Sequence, residues 1–261
     1  MKLGLVGLGR MGAGLGERLV RAGHQVVGFD RGAAALARAA EKGVAPARSL
    51  PELARELATP RVVWLMIPAG EAVDDALGQL LAVCAPGDIV IDGGNSYYRD
   101  TVRRAAMLEE AGVHLVDVGT SGGVWGPTEG YSLMVGGARD VVERLRPVFE
   151  ALAPGAARGW GHVGLPGAGH FVKMVHNGIE YGLMQAYAEG FALLKRKGQF
   201  DLDVHQIAEI WRSGSVVRSW LLDLCAHALE ADADLADLAP VVADSGYIPE
   251  PGNCDCVGPG W

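Results

Sequence analysis

Short apolar runs alternate with longer segments of helical spacing through the first half of the chain. Leu3–Val6, Gln25–Asp30, Val62–Ile67, Ile89–Asp92, His114–Val118 and Ser132–Val135 each read as a strand. Between them, segments such as Met11–Ala22 and Asp100–Ala111 have helical composition and spacing. Strands and helices taken in turn imply a mostly parallel sheet with helices on both faces. From Gly169 onward no clear strand pattern occurs. His170–Lys197 predicts one helix of roughly 40 Å at 1.5 Å per residue, and Val204–Trp211 and Val217–Glu230 predict two more. The expected organisation is an α/β domain over residues 1–168, a helical domain over 169–246 and an irregular tail over 247–261. In that tail, "YIPEPGNCDCVGPGW", neither the helical nor the strand period survives.

Composition narrows the partners. At 261 residues the chain is long enough for one large domain and a smaller one. A formal net charge of −8 argues against nucleic acid or an anionic membrane as the main partner. It leaves room for an anionic small molecule, because a local cluster can override the global field. No apolar run approaches the ~18 residues that span a bilayer, and glycines interrupt the apolar N-terminal stretch that a signal peptide would need. Four cysteines make no disulfide framework, Cys254 and Cys256 are too close for an easy mutual bridge, and no Cys/His set has zinc-like spacing. The expectation is a reduced, cytoplasmic protein without a metal.

Three glycine-bearing turns carry candidate chemistry. "LGLVGLGRMGAGLGERL" sets Gly7, Gly9 and Gly12 in G-x-G-x-x-G spacing after a strand and at the start of a helix. The first glycine allows the tight turn, the second lets backbone approach a pyrophosphate, and the third packs helix on strand. The anion then meets free N–H groups at the helix start. Asp30 ends the next strand about 20 residues on, where the dinucleotide fingerprint requires an acid. Its carboxylate can accept ribose hydroxyls and would repel a 2′-phosphate, which favours NAD. Arg31 beside it could receive that phosphate, as in NADP binding, or stack on adenine. Leu8, Arg10 and Met11 in the first turn, with Ile67 at the end of the third strand and Pro68 and Ala69 after it, complete the candidate cofactor contacts. In "IDGGNS", Asn95 follows a strand where it can bridge cofactor and substrate, although Gly-Gly-Asn also serves a plain turn. In "TSGG", Ser121, Gly122 and Gly123 can offer a hydroxyl and N–H groups to a carboxylate, or form a structural turn.

"GHFVKMVHNGIEYG" mixes charge and apolar residues within one predicted helix. Lys173, His176, Asn177 and Glu180 fall at i, i+3, i+4 and i+7, on one face, and Phe171, Val175, Ile179 and Gly182 fall on another. That polar face is either solvated or the floor of an active site. A desolvated lysine loses pKa and can act as a base, and a carboxyl there gains pKa and can act as an acid.

These motifs together resemble the 6-phosphogluconate dehydrogenase family, in its shorter bacterial-type branch. The likeness runs from "GLVGLGRMG" through "IDGGNSYYRD", "TSGGVWG" and "KMVHNGIEY" to about "VVADSG". It implies a Rossmann-type doubly wound sheet followed by an all-helical domain used for substrate binding and dimerisation. The implied reaction is oxidative decarboxylation of 6-phosphogluconate to ribulose 5-phosphate and CO2, with reduction of NAD or NADP. By the same resemblance Lys173 is the base and Glu180 the acid, His176 and Asn177 hold hydroxyls, and Asn95 touches both ligands. Ser121, Gly122 and Gly123 bind the carboxylate region, Tyr181 the phosphate, and Met11 lies near the nicotinamide. A homodimer or higher homo-oligomer is implied as well.

After "VVADSG" the family continues with a Gly-(Lys/Arg)-Trp-Thr segment and further helices, including an arginine that clamps the phosphate. Here "YIPEPGNCDCVGPGW" follows instead. The expectation is a shortened helical domain, from a frameshift or truncation, with the phosphate clamp incomplete. The competing readings are a 3-hydroxyisobutyrate-type dehydrogenase on the same scaffold and a cofactor-binding form without turnover.

Overall fold

The computed structural model describes residues 1–232. The predicted tail 247–261, with Cys254 and Cys256, and the end of the predicted helical domain lie outside them. The described residues form two compact units, Met1–Met174 and the segment from Val175 onward.

In the first unit, β1 (Lys2–Val6), α1 (Arg10–Arg21), β2 (Gln25–Phe29), α2 (Ala33–Glu41), β3 (Ala45–Pro46) and α3 (Leu50–Arg55) come first. Then follow β4 (Val62–Leu65), α4 (Glu71–Leu81), β5 (Ile89–Asp92), α5 (Tyr98–Glu110) and β6 (His114–Ser121). A short helix α6 (Gly126–Glu129), β7 (Ser132–Gly136), α7 (Arg139–Arg144), α8 (Arg146–Leu152) and β8 (Trp160–Gly164) complete the sheet region. The strand order is β3-β2-β1-β4-β5-β6-β7-β8. All neighbours pair parallel except β6 and β7. The run 3-2-1-4-5-6 is the doubly wound dinucleotide-binding order, whose ligand crevice lies where the order reverses, between β1 and β4.

Strand periodicity explains why this sheet is covered on both sides. Leu3 and Leu5 enter one core and Val6 the other; Val62 and Trp64 enter the first, Val63 and Leu65 the second; Ile89 and Ile91 flank Val90 in the same way. Successive side chains point to opposite faces, so an apolar residue at every position demands helices above and below. Four of the predicted strands end within a residue of the observed ones. Val62–Ile67 stops at Leu65, because the chain turns through Pro68 to Gly70 at φ +89°. His114–Val118 continues to Ser121, paired antiparallel with β7, so Ser121 ends a strand rather than opening a loop. The pattern missed β3 and β8; the first is two residues long, and "WGHVG" has two glycines in five.

The long helix α9 (Ala168–Arg196) is continuous over 29 residues. In the second unit it is followed by α10 (Val204–Arg212) and α11 (Trp220–Ala231). Asp203 caps α10 by accepting the Gln206 N–H, and Ser219 caps α11 by accepting the Leu222 N–H. That cap places the start of α11 three residues after the predicted Val217. Phe191, Val204, Ala208, Leu222, Ala226 and Leu229 form a separate core in this unit.

Candidate active site

The predicted cofactor residues meet at the carboxyl ends of β1, β2 and β4. Gly7 follows β1 at φ +88°, a conformation that side-chain-bearing residues avoid. A Cβ on Gly12 would stand 1.8 Å from the Gly7 carbonyl oxygen, so the loop and α1 touch backbone to backbone there. Gly9 has open space where a side chain would be. It precedes α1 without any side-chain cap, which leaves first-turn N–H donors for an anion. These features fit the pyrophosphate of a dinucleotide. Asp30 holds the loop from the neighbouring strand: its Oδ2 accepts the buried Leu8 N–H at 2.7 Å and its Oδ1 accepts the Gly32 N–H at 2.7 Å. Arg10 and Arg31 are exposed and Met11 is half-buried.

Ile67, Pro68 and Ala69 form the loop after β4, and Asn95 lies in the loop after β5. The two loops touch, since a Cβ on Gly94 would come within 2.9 Å of the Ile67 carbonyl oxygen. Asp92 orders the Asn95 loop by accepting the Gly94 N–H at 3.1 Å and the Ser96 hydroxyl at 2.7 Å. Arg104, buried on α5, orders the other loop through a bidentate pair with Asp74 and a 2.9 Å bond to the Gly70 carbonyl. The Arg104 hydrogen bonds, helped by Arg103, hold the Asp74 carboxyl down at about 2 against a smaller opposing effect of burial. Sequence reasoning passed over Asp92 and Arg104. An acid at the end of an otherwise apolar strand was the available signal for the first; nothing in its helix marked the second.

Ser121, Gly122 and Gly123 follow at the end of β6, with Gly122 at φ +140° and Gly123 at φ +51°. Two residues before Ser121, Gly119 lies under the stem of Lys173: a Cβ there would stand 2.5 Å from the Lys173 Cβ. Lys173 therefore sits over the same strand end that carries the Ser-Gly-Gly turn.

On α9, Lys173, His176, Asn177 and Glu180 are all half-buried, with the His176 and Glu180 side chains about as exposed as Phe171 and Val175 on the other face, and Ile179 is 61% exposed. His176 Nδ1 lies 3.6 Å from Glu180 Oε2 and 3.4 Å from Asn177 Oδ1, so these three form one polar group on the helix. Tyr181 stands about 100° round the helix from Glu180 and is 44% exposed. Among the described residues no cluster of three or more His, Cys, Asp or Glu side chains could hold a metal ion, and no helix is long and apolar enough to cross a membrane.

Known proteins resemble this chain in sequence and fold. A family model described as the NAD binding domain of 6-phosphogluconate dehydrogenase matches residues 2–164. One described as the 6-phosphogluconate dehydrogenase C-terminal domain matches residues 169–201. The NAD(+)-dependent, decarboxylating 6-phosphogluconate dehydrogenase of Haloferax volcanii is 49% identical over 93% of this chain and 80% of its own length. The decarboxylating 6-phosphogluconate dehydrogenase of Treponema pallidum is 39% identical over 98% of this chain, which spans only 54% of that longer protein. Among solved structures, Plasmodium falciparum 6-phosphogluconate dehydrogenase is 31% identical with a TM-score of 0.81, over 92% of this chain and 52% of that one. Mycobacterium tuberculosis 3-hydroxyisobutyrate dehydrogenase is 33% identical with a TM-score of 0.72, over 84% and 72%. A family model over residues 2–164 and a relative 49% identical over 93% of the chain place it plainly: the chain belongs to the 6-phosphogluconate dehydrogenase family.

Proposed function

We infer that this chain oxidatively decarboxylates 6-phosphogluconate to ribulose 5-phosphate and CO2. The observation that carries the reading is one continuous helix with Lys173 and Glu180 on the same half-buried face, in a chain 49% identical to a relative of that name. Residues 1–168 bind the dinucleotide in this reading, and 169–246 supply the remaining substrate contacts. NAD is the preferred cofactor because Asp30 places negative charge beside the ribose position, although Arg31 leaves NADP accessible. When bound, it supplies the acceptor for the hydride that leaves C3 of the substrate.

Lys173 takes the proton of the C3 hydroxyl. The product is a 3-keto acid, which loses CO2 once its developing enolate oxygen is stabilised, here by the now protonated Lys173. Glu180 delivers a proton to C1 of the enediol. Base and acid lie two helical turns apart, roughly 10 Å along the axis, a span that one sugar-acid chain can bridge. Asn95, His176 and Asn177 hold hydroxyls, Ser121, Gly122 and Gly123 the carboxylate region, and Tyr181 the phosphate. The setting is a cytoplasmic enzyme that assembles as a homodimer or higher homo-oligomer.

The test is NADH or NADPH formation from 6-phosphogluconate, followed by absorbance, with 3-hydroxyisobutyrate as the rival substrate. Wild type should turn over the first and not the second. Lys173→Met should abolish turnover and leave cofactor affinity nearly unchanged. Retained activity in that variant would remove Lys173 from its role, and turnover of 3-hydroxyisobutyrate alone would transfer the chain to the other dehydrogenase.

A further inference from the structure

The start of α9 lacks a cap of its own. Gly167, just before the helix at φ +96°, has no side chain to accept the N–H of the first turn. Asp117 supplies the acceptor from 50 residues away. It is fully buried in β6, and its Oδ1 accepts the Gly167 N–H at 2.7 Å while its Oδ2 accepts the His170 N–H at 2.8 Å. His170 is itself buried, and its Nδ1 lies 2.7 Å from the Thr101 hydroxyl on α5. The helix start is thereby tied to β6 and to α5 at once.

Two residues along β6 from Asp117 and on the same face of the strand, Gly119 seats the Lys173 stem: a Cβ there would meet the Lys173 Cβ at 2.5 Å and the Gly169 carbonyl oxygen at 2.7 Å. One strand therefore both anchors the helix start and sets the height of the lysine above the sheet. We propose that Asp117 is a positioning residue, acting with Gly119 through the first turn of α9 to fix where Lys173 presents its amine. This inference rests on the assignment of Lys173 as the base. Asp117 itself is committed to two backbone N–H groups and takes no part in the proton transfers.

The experiment compares Asp117→Asn and Gly119→Ala with wild type in three measurements. These are kcat and its pH profile with 6-phosphogluconate, the NAD dissociation constant, and the rate at which an amine-reactive reagent modifies each lysine, read by peptide mass spectrometry. Asparagine keeps the shape but turns an NH2 group toward a backbone N–H, so the first turn must shift. The alanine methyl lifts the Lys173 stem directly. Expected is a fall in kcat of about 10²-fold, the scale of a 1 Å misplacement, with a displaced kcat pH profile and NAD affinity within about twofold of wild type on the same argument. The modification rate of Lys173 should change while those of Lys42 and Lys195 do not. If Asp117→Asn fails to fold, Gly119→Ala carries the test, since it keeps the Asp117 carboxylate while its methyl presses on the Gly169 carbonyl and the Lys173 stem. Folded variants with an unchanged kcat profile and unchanged Lys173 modification would overturn the proposal, as would an equal loss of NAD affinity. A wild type that does not turn over 6-phosphogluconate refutes the functional reading instead, and the modification rates still decide whether Asp117 positions Lys173.

Discussion

Asp30 does two things at one position. Its carboxylate oxygens are each bonded to a backbone N–H, of Leu8 and of Gly32, and in the proposed reading the same charge faces the place of the ribose. Asp30→Ala should therefore act on stability as well as on affinity. Leaving the buried Leu8 N–H without an acceptor costs ~1–3 kcal/mol, visible as a lower unfolding midpoint. Loss of the ribose acceptor should weaken NAD more than NADP, because the charge that repels a 2′-phosphate goes with it. Titration of both cofactors decides: equal losses would leave Asp30 as a brace for the glycine turn and nothing more.

Between elements, the pair that joins α4 to α5 sets a dependence on pH. Asp74 has its carboxyl lowered from 3.8 to about 2, first by its hydrogen bonds to Arg104, which outweigh burial, and further by Arg103. A folded-state pKa below the unfolded one contributes stability that is complete above about pH 4 and is lost as pH falls through about 2. Asp74→Asn should thus lower the urea midpoint at neutral pH, and its curve should converge on wild type as the pH approaches 2. A constant gap across that range would show that the pair contributes through shape and not charge. The Asp74 side chain is 38% exposed, so solvent screens part of the effect.

What the sequence made legible at this scale follows from how local each signal is. Leu3, Leu5 and Val6, or Ile89 to Ile91, declare a strand within four residues, and Gly7, Gly9 and Gly12 declare the turn after it. The face shared by Lys173, His176, Asn177 and Glu180 follows from helical period alone. Asp117 and His170 stood in plain view as polar residues in apolar company, but their meaning is a hydrogen bond across 53 residues, which no local period encodes. Arg104 reads as one more helix arginine until α4 is placed beside it. Strand β8 escaped because glycines dilute its alternation, and β3 because two residues have no period to show.

For the molecule as a whole, an acidic chain that binds anions must do so with local donors. The net charge of −8 repels a dinucleotide, and the answer at the candidate site is backbone N–H groups at the start of α1, whose partial charges act at contact range where the global field is weak. That donor set belongs entirely to the unit ending at Met174. Among the described residues the second unit has its own core around Phe191, Ala208 and Leu222, which shares no residue with the cores of the sheet. Ligand that binds only the folded form stabilises what it binds, by about 2.7 kcal/mol at a hundredfold excess over Kd. Hydrogen exchange with and without NAD should then show slower exchange across the strands of the first unit and at Leu8 and Gly32, with little change at Ala208, Leu222 and Ala226. Protection rising by the same factor in both sets would mean that the two units unfold as a single cooperative body, and that the separation of their cores carries no thermodynamic weight.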